Sequence, residues 1–488
     1  MLARTIFFLA MAAAAAPCSA QLMRRESGSR KGPSALQAAL QELLGEVASH
    51  RLFAIEASVR PTYEAFPKNA MGQIPSQEIF AAIVRAYFLK EHGWLLKGLE
   101  PPSMVPAVTT VPQSDVLREK APKLAEALQR LLSADRGLSL SDVVGTIAAL
   151  EHLLLGESTA LLRSAYALNE RDPEKRLDED GLHDVLQSYL LLFRHGLPRN
   201  VTDVSLHQRI KARAAQAEDW EALLKFEADA VVEAEVLEGH ATDHRRHHPH
   251  RHPRHSFEEA AAIASGMTLR FGKWQNSECV QMKDNLMALG SSNGRVPLDV
   301  FHSEKKHASY QFTETAEYLQ RAGALDEAED GTQQVLVANY LLGRSNCIAS
   351  SEYYSVCCLS ECEALTSELE QKVQAPAWPA PQLLGLVSET PSSSVAAPRE
   401  LPPDLARDLE AAAAQHGGVV PLHSADFRHF LHRAFPNECP LPTPTESAAE
   451  EAERAAATQW VARQQEECTR IPDWHPAKWG EEAALVSV

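Results

Sequence analysis

The chemistry-bearing residues are most concentrated in NCIASSEYYSVCCLSECEAL (346–365), which puts Cys347, Cys357, Cys358 and Cys362 within sixteen positions. Four thiols at such spacing could staple a fold, hold zinc or run a redox cycle. Common zinc modules and redox pairs carry a CxxC knuckle, and CCxxxC lacks one. The remaining reading is disulfides, which belong to an oxidising compartment. Eight cysteines are present; Cys18 lies in the leader described below. Cys279, Cys347, Cys357, Cys358, Cys362 and Cys439 can form three bridges, with fifteen possible pairings. Adjacent cysteines bridge each other only through a strained ring, so Cys357 and Cys358 are expected to take different partners. Those partners are expected near Cys279 and Cys439, with Cys468 left over in the tail.

A second cluster is HATDHRRHHPHRHPRH (240–255). Neutral imidazoles ligate Zn²⁺ or Cu²⁺, and His244, His247, His248, His250 and His252 are the candidate ligands. The same tract reads as a solvated linker, because it cannot bury a useful apolar area.

Local catalytic motifs are weak. GSSNG (290–294) fits G-x-S-x-G with Ser292 as nucleophile, but that elbow needs a strand before it and a helix after it. MKDNLMALG reads as a helix there. GMTLRFGKW (266–274) approaches a phosphate loop, with one residue too many between its glycines and Trp274 where Mg²⁺ needs Ser or Thr.

These residues sit among elements of helical periodicity. Alternating Val/Ile/Thr runs are scarce, and apolar residues recur at helical spacing. Ser34 is expected to cap one helix running through ALQAALQELLGEVASHRLFAIEA, and another is expected from Val204 to Leu237. The expected fold class is mainly α: several helical modules, including helix-loop-helix units, and a disulfide-stapled C-terminal helical region. The expected boundaries are a signal peptide at 1–20, helical modules at 33–100 and 116–238, and a His-rich linker at 239–256. A Cys-rich domain at 257–387, a linker at 388–404, a helical unit at 405–440 and an acidic tail at 441–488 follow.

One signature recurs. MGQIPSQEIF (71–80), NGRVPLDVF (293–301) and GGVVPLHSADF (417–427) each carry Gly, a β-branched residue and Pro ahead of a helix start. RGLSLSDVV (136–144) and KRLDEDGLHDVL (175–186) are cousins. Glycine supplies the turn, and Pro is expected in the first turn of the following helix. This pattern resembles the second half of an EF-hand, most closely in the first copy. With Gly72 at loop position 6, Ile74 falls at 8 and Glu78 at 12. Asn69 and Glu78 are then the only Ca²⁺ ligand types, with Pro67 and Met71 at the other ligand positions.

MLARTIFFLAMAAAAAPCSA joins a basic residue, a short apolar run and small residues before Gln21. That is the pattern of a secretory signal peptide. No later apolar run is long enough to cross a bilayer. Asn200-Val201-Thr202 is a glycosylation sequon suited to the secretory route. The 488 residues are 45% hydrophobic and 23% charged, with 65 acids against 47 bases and a net charge of −18. Such a balance opposes general nucleic-acid binding.

NCIASSEYYSVCCLSECEALTSELE, the Gly-x-Val-Pro-Leu unit and NECP (437–440) resemble a family of uncharacterised secreted or membrane-associated proteins of dinoflagellate algae. FLKEHGWLLKGLE (88–100) and YLQRAGALDE (318–327) are similar to it too; the histidine tract departs from it. The family carries no established activity, so the resemblance implies compartment and topology. The expected function is non-enzymatic: a secreted binding or scaffolding protein with a protein or surface as partner. The alternatives are a Ca²⁺- or Zn²⁺-responsive EF-hand-like binder and a secreted hydrolase whose site forms no local motif.

Overall fold

The computed structural model describes residues 35–45, 49–100, 114–133, 136–195, 203–217, 219–237, 254–289, 293–303, 312–328, 330–349 and 351–442. The signal peptide, Asn200, Ser292, the five histidines from His244 to His252, Cys468 and the acidic tail lie outside these residues.

The described chain is mainly helical. Helices α1 (Ala35–Leu44) and α2 (Ser49–Ala65) stand where one long helix was expected. Ser76 caps α3 (Gln77–His92), which Gly93 ends in the left-handed region at φ 66°. A three-residue strand β1 (Trp94–Leu96), α4 (Asp115–Lys120) and α5 (Pro122–Ser133) lead to α6 (Leu140–Leu168). Helix α6 is apolar on several sides and is accordingly buried on several sides, against α1, α2, α3, α4, α7 (Glu179–His195) and α10 (Phe257–Ala288). The expected 204–237 helix is two, α8 (Val204–Ala214) and α9 (Trp220–Leu237). GMTLRFGKW lies inside α10, so no phosphate loop forms there.

The helices are organised by their loops. Ile74 pairs with Leu138 as an isolated antiparallel bridge, with both N–H···O distances 2.9 Å. Leu177 pairs with His255 in the same way, at 2.8 Å each. Beyond α10, strand β2 (Arg295–Pro297) precedes α11 (Leu298–Phe301). After α12 (Ala316–Arg321) and β3 (Leu325–Glu327), β4 (Gln333–Leu336) precedes α13 (Val337–Leu341). Here Val296 pairs with Val335. Last, α14 (Glu361–Val373), β7 (Ala377–Pro379) and α15 (Ala380–Glu389) face α16 (Pro403–Gln415), β8 (Val419–Pro421) and α17 (Ala425–Ala434). Trp378 pairs with Val420. Each bridge joins the loops of two helix-loop-helix units, and Ile74, Leu138, Leu177, Val296 and Val420 are the apolar residues of the repeated signature.

Proline does not open the following helix as expected. Pro297, Pro379 and Pro421 are the last residues of β2, β7 and β8, where a missing N–H costs the ladder little. Pro75 stands just outside the Ser76 cap.

Three apolar cores result. The largest takes in α1–α7, α9 and the first half of α10, and Tyr353, Tyr354 and Val356 of the cysteine block belong to it. A small core lies under β2–β4 and α11–α13. The third joins α14–α17 through Leu369, Leu383, Leu409 and Phe427. The cores move two expected boundaries. Helix α10 belongs to the first core, so residue 257 opens no new domain. The expected linker 388–404 is folded within the last module: Thr390 is fully buried, and Arg399 donates to the Ala434 carbonyl at 2.7 Å. Its Ser/Pro composition reads as a linker because these ties are polar and individual rather than apolar and periodic.

Candidate functional site

The six described cysteines form three bridges: Cys279–Cys358, Cys347–Cys357 and Cys362–Cys439. Cys357 and Cys358 do leave in different directions, one locally and one to α10. The expected tie to Cys439 comes from Cys362 instead, because Cys362 sits in the first turn of α14 and faces the end of the chain's last core. Ahead of these cysteines, Tyr354–Val356 forms β6, which pairs with β1 on one side and β5 (Ile348–Ala349) on the other. Tyr354 packs on Trp94 with ring centres 4.5 Å apart. The Cys357 amide donates to the Gly93 carbonyl at 2.7 Å, and a Cβ on Gly93 would stand 2.6 Å from the Cys357 carbonyl oxygen. Only glycine fits that contact and that φ.

A calcium-type loop between Phe66 and Phe80 does not fit its ion. The Asn69 side-chain oxygen accepts hydrogen bonds from the Met71 and Gln73 amides at 2.9 and 3.0 Å. The Asn69 amide donates to the Gln73 carbonyl at 2.9 Å, and its side-chain nitrogen donates to the Arg136 carbonyl. Oxygens that a cation would collect are therefore spent within the loop. Glu78 is exposed in the first turn of α3. Among the described residues no three His, Cys, Asp or Glu gather in a group that could hold a metal.

Two polar clusters that sequence reasoning missed are buried between modules. In the first, Lys283 near the end of α10 is 3% exposed. Its ammonium donates to Glu361 and Glu438 at 2.8 Å each and to the Ser393 hydroxyl at 2.6 Å. Ser393 in turn donates to the other oxygen of Glu361 at 2.5 Å. Burial alone would raise the Glu438 carboxyl, but hydrogen bonds from Lys283, Ser394 and Ser393 hold it below the usual carboxylate range. An ammonium has three hydrogens, and all three have acceptors here. Lys283 is therefore a clamp and not the base of a Ser–Lys dyad.

In the second cluster, Glu151 in mid-α6 accepts from Arg51 Nε and Nη2 at 2.9 and 2.5 Å and from the Tyr87 hydroxyl at 2.7 Å. His92 Nε2 lies 2.9 Å from the same carboxylate, and His92 Nδ1 lies 3.1 Å from the Leu269 carbonyl of α10. Burial works against the charge on Glu151, but the bonds from His92 and Arg51 outweigh it and keep the carboxyl below its usual range. Burial and the Glu151 charge push the Tyr87 hydroxyl far up. The cluster ties α2, α3, α6 and α10 together at one carboxylate.

A third contact joins the last module to the first core. Glu370 accepts from Thr62 at 2.6 Å and lies 3.0 Å from His423 Nε2. The His423 ring stacks on Phe66 at 3.8 Å. The sequence signal for these clusters is faint. Glu361 and Glu438 are visible only as the acidic neighbours of two cysteines, and Glu151 as an acid set among the apolar residues of α6.

Comparison with known proteins returns no matching family, no matching curated protein and no matching solved structure.

Proposed function

We propose that this chain is a secreted, non-enzymatic binding or scaffolding protein of the kind its cysteine block resembles, assembled from degenerate EF-hand pairs. The observation that carries the reading is the node at Cys357 and Cys358. Two neighbouring residues bridge to different segments while the strand before them pairs with β1, which suits a rigid body held in an oxidising compartment. The loop-to-loop bridges, each at the apolar residue of the repeated signature, support the EF-hand kinship. Asn69 supports a loop that closes without calcium. The partner on this reading is a protein or a surface.

Peptide mapping of the native protein, alkylated without reduction, tests the scaffold; free thiols at both Cys357 and Cys358 would overturn it. Melting curves with added calcium or with chelator test the loops. Coincident curves are expected, and a rise with calcium would transfer the reading to a Ca²⁺-responsive binder.

A further inference from the structure

Helix α14 meets the first core with polar residues where a packed helix normally shows apolar ones. Glu363, Ser367 and Glu370 stand at positions i, i+4 and i+7 of one helical face, and that face is turned to α2 and α3. The Lys90 ammonium of α3 donates to the Ser367 hydroxyl at 3.1 Å and to the Ser58 carbonyl at 3.2 Å. Thr62 of α2 donates to one oxygen of Glu370 at 2.6 Å. His423 Nε2 stands 3.0 Å from the other, with the Glu370 side chain 2% and the imidazole 19% exposed. A small gap whose lining includes Ser58, Thr62, Lys90, Glu363 and Ser367 remains between the helices. Ala65 is the sole described residue ahead of α14 that joins the third core, so polar contacts carry most of this joint.

We propose that this joint is a proton-operated latch, which holds the last module on α2 and α3 in mild acid and releases it as the pH rises. Imidazole is the side chain that changes charge between pH ~5 and ~8. Protonated, the His423 ring forms an ion pair with Glu370 while it stacks on Phe66 at 3.8 Å. Neutral, it leaves a buried carboxylate without that charge, which is unfavourable. Glu363 works in the same direction. Burial and then the Glu370 charge raise its carboxyl, against Arg85, His423 and Arg428, so a second negative charge enters beside Glu370 as the pH climbs. The other groups at the joint hold steady. Arg85 and Lys90 of α3 and Arg428 of α17 are the cations beside it, and guanidinium and ammonium groups keep their charge across this range. Tyr87 stays neutral, pushed up by burial and Glu151, and Ser58 and Lys273 hold Glu91 charged against its burial. The pivot is the start of α14, where Cys358 is bridged to Cys279 and Lys283 holds Glu361. Glu370 lies nine residues beyond Glu361, roughly 14 Å along the helix, so a small rotation at the pivot parts it from Thr62.

The inference does not rest on the scaffold reading, which thiol mapping decides separately. Hydrogen exchange of the intact oxidised protein tests it at pH ~5.5 and ~8, with each rate divided by that of an unstructured peptide at the same pH. Protection in residues 58–66 and 366–373 should fall several-fold more at the higher pH than protection in α6 does. His423→Gln should give the parent's alkaline protection at both pH values, and Glu363→Gln should narrow the difference. A histidine that only packs would lower protection by one factor at both pH values and leave the pH response intact. Equal protection of the joint at the two pH values in the parent, or a pH response that His423→Gln leaves intact, overturns the latch. Should His423→Gln fail to fold, diethyl pyrocarbonate labelling of His423 in the parent protein decides, since the reagent attacks neutral imidazole. Labelling should set in over the pH range in which protection is lost, and protection lost without it overturns the latch too.

Discussion

Glu361 and Glu438 each stand one residue before a half of the Cys362–Cys439 bridge, and both carboxylates close on the Lys283 ammonium at 2.8 Å. A covalent tie and an ionic tie thus occupy neighbouring positions on the same two segments. The bridge fixes the start of α14 to the turn after α17. The lysine then fixes both to the end of α10, the helix shared with the first core. Apolar contact alone leaves orientation loosely specified where two cores meet. A buried ion cluster with a full set of acceptors permits one arrangement.

Removing the cation should therefore cost more than its packing. Lys283→Met leaves Glu438, 3% exposed, without its positive partner, and breaking a buried pair from one side costs about 3–5 kcal/mol. The double variant Lys283→Met, Glu438→Gln should recover part of that loss, because the stranded charge goes with it. Urea unfolding of the oxidised protein measures both. Equal stability for the parent and the single variant would show that the cluster is not a clamp.

The bridges should differ in worth according to the chain they enclose. Cys362–Cys439 spans 77 residues and Cys347–Cys357 spans 10. Loop entropy assigns the long bridge about 4 kcal/mol and the short one less than about 3 kcal/mol. Alanine at both ends of each bridge, followed by denaturant unfolding, compares them. A larger loss from the short bridge would contradict the ordering.

How far the sequence foretold this architecture depended on whether each unit kept its punctuation. Five loops announced themselves because Gly72, Gly137, Gly294 and Gly418 stand one or two residues ahead of the pairing position, or because an acid-rich turn precedes it, as at Leu177. The loop of α14 and α15 hid itself. Gln374, not glycine, takes the left-handed conformation there, at φ 51°. The unit before α13 hid too, with Gly331 four residues from Val335. Different partners for Cys357 and Cys358 followed from covalent geometry alone. That Cys362 ties to Cys439 while Cys357 bridges locally to Cys347 did not, since it depends on how the start of α14 meets the turn after α17. Lys283 and Glu151 carried no motif: their chemistry comes from burial and approach between elements distant in the chain.

A single methyl group should disturb the crossing of α3 and α10. A Cβ on Gly272 would lie 1.9 Å from the His92 carbonyl oxygen, a backbone atom that cannot swing aside. Gly272→Ala improves intrinsic helix propensity, yet overpacking of this kind typically costs about 1–3 kcal/mol. The variant should melt below the parent protein and loosen the His92–Glu151 contact next to the clash. A stabilised variant would mean that α10 can withdraw from α3 at no cost.

The histidines should shape stability from both sides of neutrality. His432 is buried with Nδ1 2.8 Å from the Cys439 carbonyl, and burial lowers its pKa. The unfolded chain then takes up a proton near pH ~6.5 before the folded one does. The contribution of His432 is present above that pH and lost as the pH falls below it. His207 acts in the same sense, lowered by burial and then by Lys211. His183 has the opposite sign: its hydrogen bond to Glu227 raises it against the opposing effect of burial. Its contribution is complete below the unfolded value and lost as the pH rises through the raised folded one. With its side chain 30% exposed, solvent screening makes that limb the shallower. Urea midpoints near pH ~5, ~7 and ~9 should fall on both sides, more steeply in acid. His432→Asn, which keeps a donor for the Cys439 carbonyl, should flatten the acid limb, and His183→Gln the alkaline one. An acid limb unchanged by His432→Asn would remove His432 from this account.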